Sequence, residues 1–264
     1  MPKAKVNGIN MYYELHGKGD PVVLVQGLGG NHTFWEPNLP ELVQRHRIVL
    51  LDYRGSGLTD KPKMPYTTKG FADDIAGLMD ALDIPRAHVV GRSMGGCIGQ
   101  WLGIRHPKKI RSLILAATWG RADGMLKLSL DNWAKIVETS GLGGLIPHIL
   151  PWCWSRDFFE PKNARALAKL KKLVYANRQP KDAFVRQSLA GTRHDAIRYL
   201  SRIKAPTLVV VGEGDILTPR KFADEIVAGI PSAKLHLIPG LGHAFYEEKP
   251  EVFNHVALEF WARH

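Results

Sequence analysis

Short, nearly unbroken apolar runs recur along the chain, separated by longer segments in which apolar residues return every three or four positions. The runs at residues 21–25, 47–51, 87–90, 111–116, 207–211 and 234–238 predict strands, and residues 11–15 predict part of an opening hairpin. Runs without polar alternation suit strands covered on both faces, the pattern of a mostly parallel sheet between helical layers. Segments 68–82, 94–106, 220–229 and 250–262 carry the helical repeat that supplies those layers. The alternation stops once. Between Trp119 and about Lys204 there is no strand-like run, only helical patches at 129–139, 163–175 and 181–189 punctuated by Pro147, Pro151, Pro161 and Pro180. The pattern predicts an α/β core of residues 1–119 and 205–264 and a helical cap, residues 120–204, inserted after one sheet strand.

Composition narrows the class. The 264 residues are 45% hydrophobic, enough for a large buried core, so a disordered chain is excluded. No apolar run reaches the ~18 residues of a membrane span, and the N-terminus has no apolar signal core. Cys97 and Cys153 are the only cysteines and provide no disulfide framework, which fits a reducing compartment. These features lead us to expect a soluble cytoplasmic protein.

The chemistry starts at Gly91-Arg92-Ser93-Met94-Gly95, where the run 87–90 turns directly into a helical segment. A serine on so tight a strand-to-helix turn is held in a strained conformation with its hydroxyl exposed above the sheet, a nucleophile elbow. Flanking glycines suit the turn because a Cβ there would strike the strand or the helix. Gly95, Gly99 and Gly103 continue along one helix face, with Gly96 beside them, as expected of a helix packed close against the sheet.

Such a serine needs a base, and the base needs an orienting carboxylate. Asp215 follows the run 207–211 and His243 follows the run 234–238, both in Gly-rich turns at carboxyl ends of strands, where open α/β sheets bind ligands. Glu213 and Asp195 are alternative acids. Gln26-Gly27-Leu28-Gly29-Gly30, after the run 21–25, is the turn expected to supply an oxyanion hole, with the amides of Leu28 and Met94 as its donors. No His-Glu-x-x-His or paired Cys-x-x-Cys pattern is present, so neither a metal nor another cofactor is expected.

With these residues in place the chain resembles the α/β-hydrolase family over nearly its whole length. Asp52-Tyr53-Arg54-Gly55-Ser56-Gly57-Leu58-Thr59-Asp60 is similar to that family's D-x-R-G-x-G-x-S-D loop, and the stretch from Gly91 to Leu102 resembles the carboxylesterase and 3-oxoadipate enol-lactonase branch. The resemblance implies an α/β-hydrolase fold and hydrolysis of a small ester or lactone through an acyl-enzyme, with Ser93 as nucleophile, His243 as base and Asp215 as acid. Carbon–carbon bond hydrolysis, perhydrolase or haloperoxidase chemistry on the same triad, and a low-turnover ligand receptor are the alternatives. Relatives that use an Asp nucleophile, the haloalkane dehalogenases and epoxide hydrolases, are excluded by Ser93. Two positions depart from the family pattern: Gln26 stands where many members carry His, and Arg92 where a smaller residue is usual.

Charge adds a substrate hypothesis. The net charge is +11, and residues 156–204 hold thirteen Lys or Arg against four Asp or Glu. One reading is a solvated helix face; the other is attraction of an anionic substrate toward the cleft. Nucleic-acid binding is not expected, since no recognition motif accompanies the charge. Arg92, Trp119, Trp152 and Trp154 are the candidate substrate-binding residues, with Trp133 and Phe158 as further cap aromatics that either line a pocket or simply pack.

Overall fold

A computed structural model describes residues 2–176 and 179–264. Arg178, one of the cations counted in the cap, and Met1 lie outside the described residues. The elements, in order, are β1 (Lys3–Val6), β2 (Ile9–His16), β3 (Asp20–Val25), α1 (Leu39–Leu42), β4 (His46–Leu51), α2 (Thr68–Ala81), β5 (Ala87–Arg92), α3 (Met94–Arg105) and β6 (Ile110–Ala116). They continue as α4 (Gly124–Cys153), α5 (Ala164–Ala176), α6 (Lys181–Thr192), β7 (Thr207–Gly212), α7 (Arg220–Gly229), β8 (Ala233–Ile238), α8 (Phe245–Glu248) and α9 (Pro250–Trp261).

The eight strands form one sheet in the order β1-β2-β4-β3-β5-β6-β7-β8. Pairs from β4 through β8 are parallel, and β2 joins β4 antiparallel. β1, which the apolar pattern did not reveal, pairs with β2 through a two-residue turn, with Val6 opposite Ile9. Asn7 (φ 45°) and Gly8 (φ 79°) both take positive φ, as a tight hairpin of this twist requires.

Alternate residues of the central strands enter two cores. Val23, Val25, Val49, Leu51, Val89, Leu113 and Leu115 pack toward α2, α3 and the cap. Val22, Leu24, Ile48, Leu50, Val90 and Ile114 pack with Trp35 and with Phe253, Val256 and Trp261 of α9. Burial on both faces explains why these strands read as continuous apolar runs.

The helices α4–α6 lie between β6 and β7, and an isolated antiparallel bridge between Arg121 and Asp195 closes the neck of this insertion. The expectation that Pro147 and Pro151 interrupt the helical patches is not met, for both lie inside α4. The break comes at Gly141 (φ 72°, ψ 179°), a backbone conformation essentially restricted to glycine, so α4 is two helical segments joined at a kink.

Two buried histidines make stability depend on pH. Burial, with Arg111 nearby, pushes His88 down to about 4; burial, with Lys69 nearby, pushes His194 down to about 3. Their rings contact Ser112, and Thr68 and Gln100, respectively. Between pH 6.5 and 4 the unfolded chain therefore binds protons that the native state refuses, and stability falls on acidification. A loss on the order of a few kcal/mol is expected over this window. It would appear as a Tm at pH 4.5 well below that at pH 7; an unchanged Tm contradicts the assignment.

Candidate active site

The site is built where β5 becomes α3. Ser93 has φ 52° and ψ −124°, an outlier for a residue with a side chain. Its backbone is held on both sides: Ser93 N donates to Ala116 O (2.8 Å), while Ser93 O accepts from Gly96 N (2.9 Å) and Thr118 Oγ1 (2.7 Å). The glycine requirement is steric. A Cβ on Gly91 would lie 2.2 Å from Gly95 O, and one on Gly95 would lie 2.3 Å from Val25 O. Gly95→Ala must therefore drive α3 off the end of β3, at a cost of about 3 kcal/mol. A Tm within a degree or two of wild type would show that the turn yields. The glycine face turns out to serve two neighbours: Gly99 lies against Leu113 and Leu115 of β6, but Gly103 faces Ile203 rather than the sheet.

The structure brings Ser93, His243 and Asp215 together from three strand ends. Ser93 Oγ is 3.0 Å from His243 Nε2, and His243 Nδ1 is 2.9 Å from Asp215 Oδ2. Asp215 and His243 are both buried. Asp215 Oδ1 accepts the amides of Leu217 (2.9 Å) and Thr218 (2.8 Å), and Oδ2 accepts Thr218 Oγ1 (2.8 Å). Burial alone would raise this carboxyl. The His243 charge and hydrogen bond, with the Thr218 donors, outweigh it and hold Asp215 below the ordinary carboxylate range. The alternative acids are elsewhere: Glu213 is exposed, and Asp195 is exposed beside Arg121. Sequence reasoning missed Thr218, although its position three residues after an Asp at a strand end is that of an Asx-type turn.

The turn after β3 lies directly over the serine. A Cβ on Gly27 would stand 2.9 Å from Ser93 Cβ, so only glycine lets the two segments approach this closely. Gly27 O accepts Tyr53 Oη (2.8 Å), Gly30 N donates to Gly27 O (3.3 Å), and Gln26 Nε2 reaches Gly30 O (3.5 Å). Leu28 lines the same cavity as Ser93, and Met94 follows Ser93 as the first residue of α3. The loop from Asp52 to Asp60 supports the turn from the side, with Asp52 accepting the amides of His32 (2.7 Å) and Leu58 (2.7 Å).

A cavity of about 110 Å³ opens beside Ser93 and His243. Its wall is apolar and comes largely from the insertion: Leu126, Leu130 and Trp133 from the first segment of α4, Leu142, Leu145, Ile146, Ile149 and Cys153 from the second, Val174 of α5 and Phe184 of α6. Trp119 and Trp154 line it as expected, Trp119 Nε1 donating to Gly191 O (3.3 Å). Trp152 does not. The cavity face of the second segment runs through residues 142, 145, 146, 149 and 153, and Trp152 is instead partly buried against the larger core. Trp133 also lines the cavity, whereas Phe158 packs in a separate cluster with Ile146, Leu150 and Leu170.

Among the described residues, no Lys or Arg between 156 and 204 lines the cavity, and Lys169, Lys171 and Lys172 are exposed. Arg92 is in the wall, but it is buried and ion-paired with Glu247, a partner 155 residues away that no local pattern signals. The wall thus gives no support to an anionic substrate. Among the described residues, no helix is long and apolar enough to cross a membrane.

Comparison with known proteins agrees with this fold. A family model described as the α/β hydrolase fold matches residues 20–250. A relative named as carbamate hydrolase RutD, from Caulobacter sp. strain K31, is 34% identical over an alignment of 271 positions, covering 98% of each chain. The crystal structure of an enol-lactonase from Burkholderia xenovorans LB400 superposes with a TM-score of 0.91 at 28% identity, over 99% of this chain and 100% of that one. A thermophilic esterase from Thermogutta terrifontis gives a TM-score of 0.87 at 26% identity, over 99% of this chain and 96% of that one. By sequence and by structure, the chain belongs to the α/β-hydrolase fold family and is a hydrolase.

Proposed function

We propose that the protein is a serine hydrolase that cleaves small, neutral carboxylic esters or lactones through an acyl-enzyme. The observation that carries this reading is the contact chain Ser93 Oγ, His243 Nε2, His243 Nδ1, Asp215 Oδ2 opening onto an apolar cavity. In the first half-reaction Ser93 Oγ attacks the carbonyl carbon while its proton passes to His243 Nε2, and Asp215 fixes the imidazole orientation and balances its charge. The carbonyl oxygen becomes an oxyanion that the amides of Leu28 and Met94 receive, each such donor being worth about 3 kcal/mol in the transition state. The C–O bond then breaks, the leaving oxygen takes the proton from His243, and the acyl group stays on Ser93. In the second half, His243 takes a proton from water, the water oxygen attacks the acyl carbon, and Ser93 recovers its proton.

The cavity is smaller than the ~150 Å³ that holds a benzene ring, so it suits a short acyl group. A second reading has one specific support, the carbamate hydrolase name of the 34% identical relative. A carbamate offers the same carbonyl to the same three side chains, but its small polar body gains little from a wall of Leu, Ile, Trp and Phe. The deciding experiment is a panel of p-nitrophenyl acetate, butyrate and octanoate, short lactones and a simple carbamate. The ester reading expects kcat/KM to peak at a short acyl chain, with a neutral ester preferred over an acid-bearing one. Turnover confined to the carbamate would replace it with the second reading.

A further inference from the structure

Ser93 and His243 are 150 residues apart in the chain and must meet to within hydrogen-bond distance. Beyond the three side chains themselves, a buried ion pair joins the segments that carry Ser93 and His243. Arg92 immediately precedes Ser93 on β5; Glu247 lies in α8, four residues after His243. Their side chains form an ion pair with 4% and 9% of their surface exposed. The guanidinium is boxed by aromatic rings, with Cζ 4.5 Å from the centre of Tyr246, 5.1 Å from Trp35 and 5.3 Å from Phe34. It also sits under the oxyanion turn, since the Cβ position of Gly30 is 3.5 Å from Arg92 Nη2. On its other side α8 is tied to the cap: Ser155 N donates to Glu248 Oε2 (3.0 Å), and Ala244 N donates to Cys153 O (2.7 Å).

We propose that Arg92 and Glu247 are positioning residues: their buried ion pair locks the nucleophile strand to the histidine loop and thereby sets the Ser93–His243 distance. The inference rests on the serine-hydrolase reading and deepens it. A buried ion pair is a poor source of net stability, because two apolar residues of similar volume often do as well or better. What it supplies is direction. A guanidinium held between rings presents its donors to Glu247 in one orientation, so the first residue of the elbow and the turn behind His243 keep a fixed separation. Displacement of a reacting group by about 1 Å costs on the order of 10²-fold in rate. The pair is also neutral as a unit beside the imidazole. Apart from His243 itself, the titratable groups in the cavity wall are Arg92, Cys153, Tyr246 and Glu247, with Asp215 behind the ring. Removing one member of the pair leaves its partner's charge facing this group.

The test measures the rate at which a fluorophosphonate labels Ser93 as a function of pH, alongside kcat, KM and Tm. Labelling needs the Ser93 and His243 contact but no knowledge of the natural substrate. Glu247→Gln and Arg92→Met are each expected to slow labelling and kcat by about 10- to 100-fold, with KM changed less than threefold. The midpoint of the acid limb should move in opposite directions, down by about a pH unit in Glu247→Gln, where a cation remains, and up in Arg92→Met, where an anion remains. The double variant Arg92→Met, Glu247→Leu should regain the wild-type midpoint and much of the Tm while staying at least about tenfold slow. Asp73→Asn breaks a second ion pair, with Arg105 (2.8 Å), and the contact with His106 (2.8 Å), and none of the three residues lines the cavity. It should lower Tm and leave the labelling profile unmoved. If the Arg92 and Glu247 variants lose only Tm, as Asp73→Asn does, or if the double variant labels at the wild-type rate, the positioning role is wrong. A wild-type protein that takes no label at Ser93 removes the nucleophile assignment itself, and this inference with it.

Discussion

Replacing Ser93 by Ala is expected to lower kcat toward short esters by about 10⁶-fold while leaving the fold intact, judged from other triad hydrolases. The fold should survive because the strain at Ser93 is held by backbone groups, the bonds to Ala116 O and from Gly96 N, together with Thr118 Oγ1 on Ser93 O. Ala takes the same backbone angles with the same Cβ. Only the hydroxyl is lost, and with it the atom proposed to attack the carbonyl. Activity left over would come from the oxyanion amides and the cavity, which stabilise the transition state without covalent help. Steady-state kinetics with p-nitrophenyl butyrate and a fluorophosphonate label together check this. A variant with unchanged Tm, wild-type kcat and a retained label would place the nucleophile elsewhere.

Asp215→Asn is the second large effect, about 10⁴-fold in kcat. The four donors around this carboxylate decide the outcome. The amides of Leu217 and Thr218 point at Oδ1, and the Thr218 hydroxyl and His243 Nδ1 lie at Oδ2. An asparagine must keep its carbonyl toward the two fixed amides, so its NH₂ falls on the histidine side. His243 Nδ1 then has to accept a hydrogen bond, the proton moves to Nε2, and the imidazole meets Ser93 with a donor where an acceptor is needed. Geometry is preserved and proton transfer is not. KM should therefore change little while kcat collapses. A loss below about tenfold would mean that another carboxylate orients the ring.

The core of the molecule was legible in the chain for a physical reason. Strands buried on both faces must be apolar throughout, and each of the six runs from 21–25 to 234–238 falls within a strand from β3 to β8. The boundaries moved by only a residue or two, as with β5, which continues through Gly91 and Arg92. β1 was not apparent, since its four residues Lys-Ala-Lys-Val bury only the last and leave little pattern. The short helices α1 and α8 span four residues each, too few to show a helical repeat. In the cap, Pro147 and Pro151 suggested breaks, but the tertiary fold ends the first helical segment at Gly141 and retains both prolines in the second.

Site residues divide in the same way. Ser93, Asp215 and His243 stand in local turn patterns that chemistry imposes on the sequence, each at the end of a strand and flanked by glycine. The chain by itself therefore determined the double-sided sheet, the strained serine turn and the positions from which an acid and a base would come. Contacts between distant segments left no such mark. That Trp152 packs on the core while Leu145, Ile146 and Ile149 form the wall depends on how the second segment of α4 is seated over the sheet. That Arg92 meets Glu247 rather than substrate depends on α8 packing against the end of β5. Only the tertiary structure decided these, because periodicity records which face of an element is buried and not which distant side chain will lie against it.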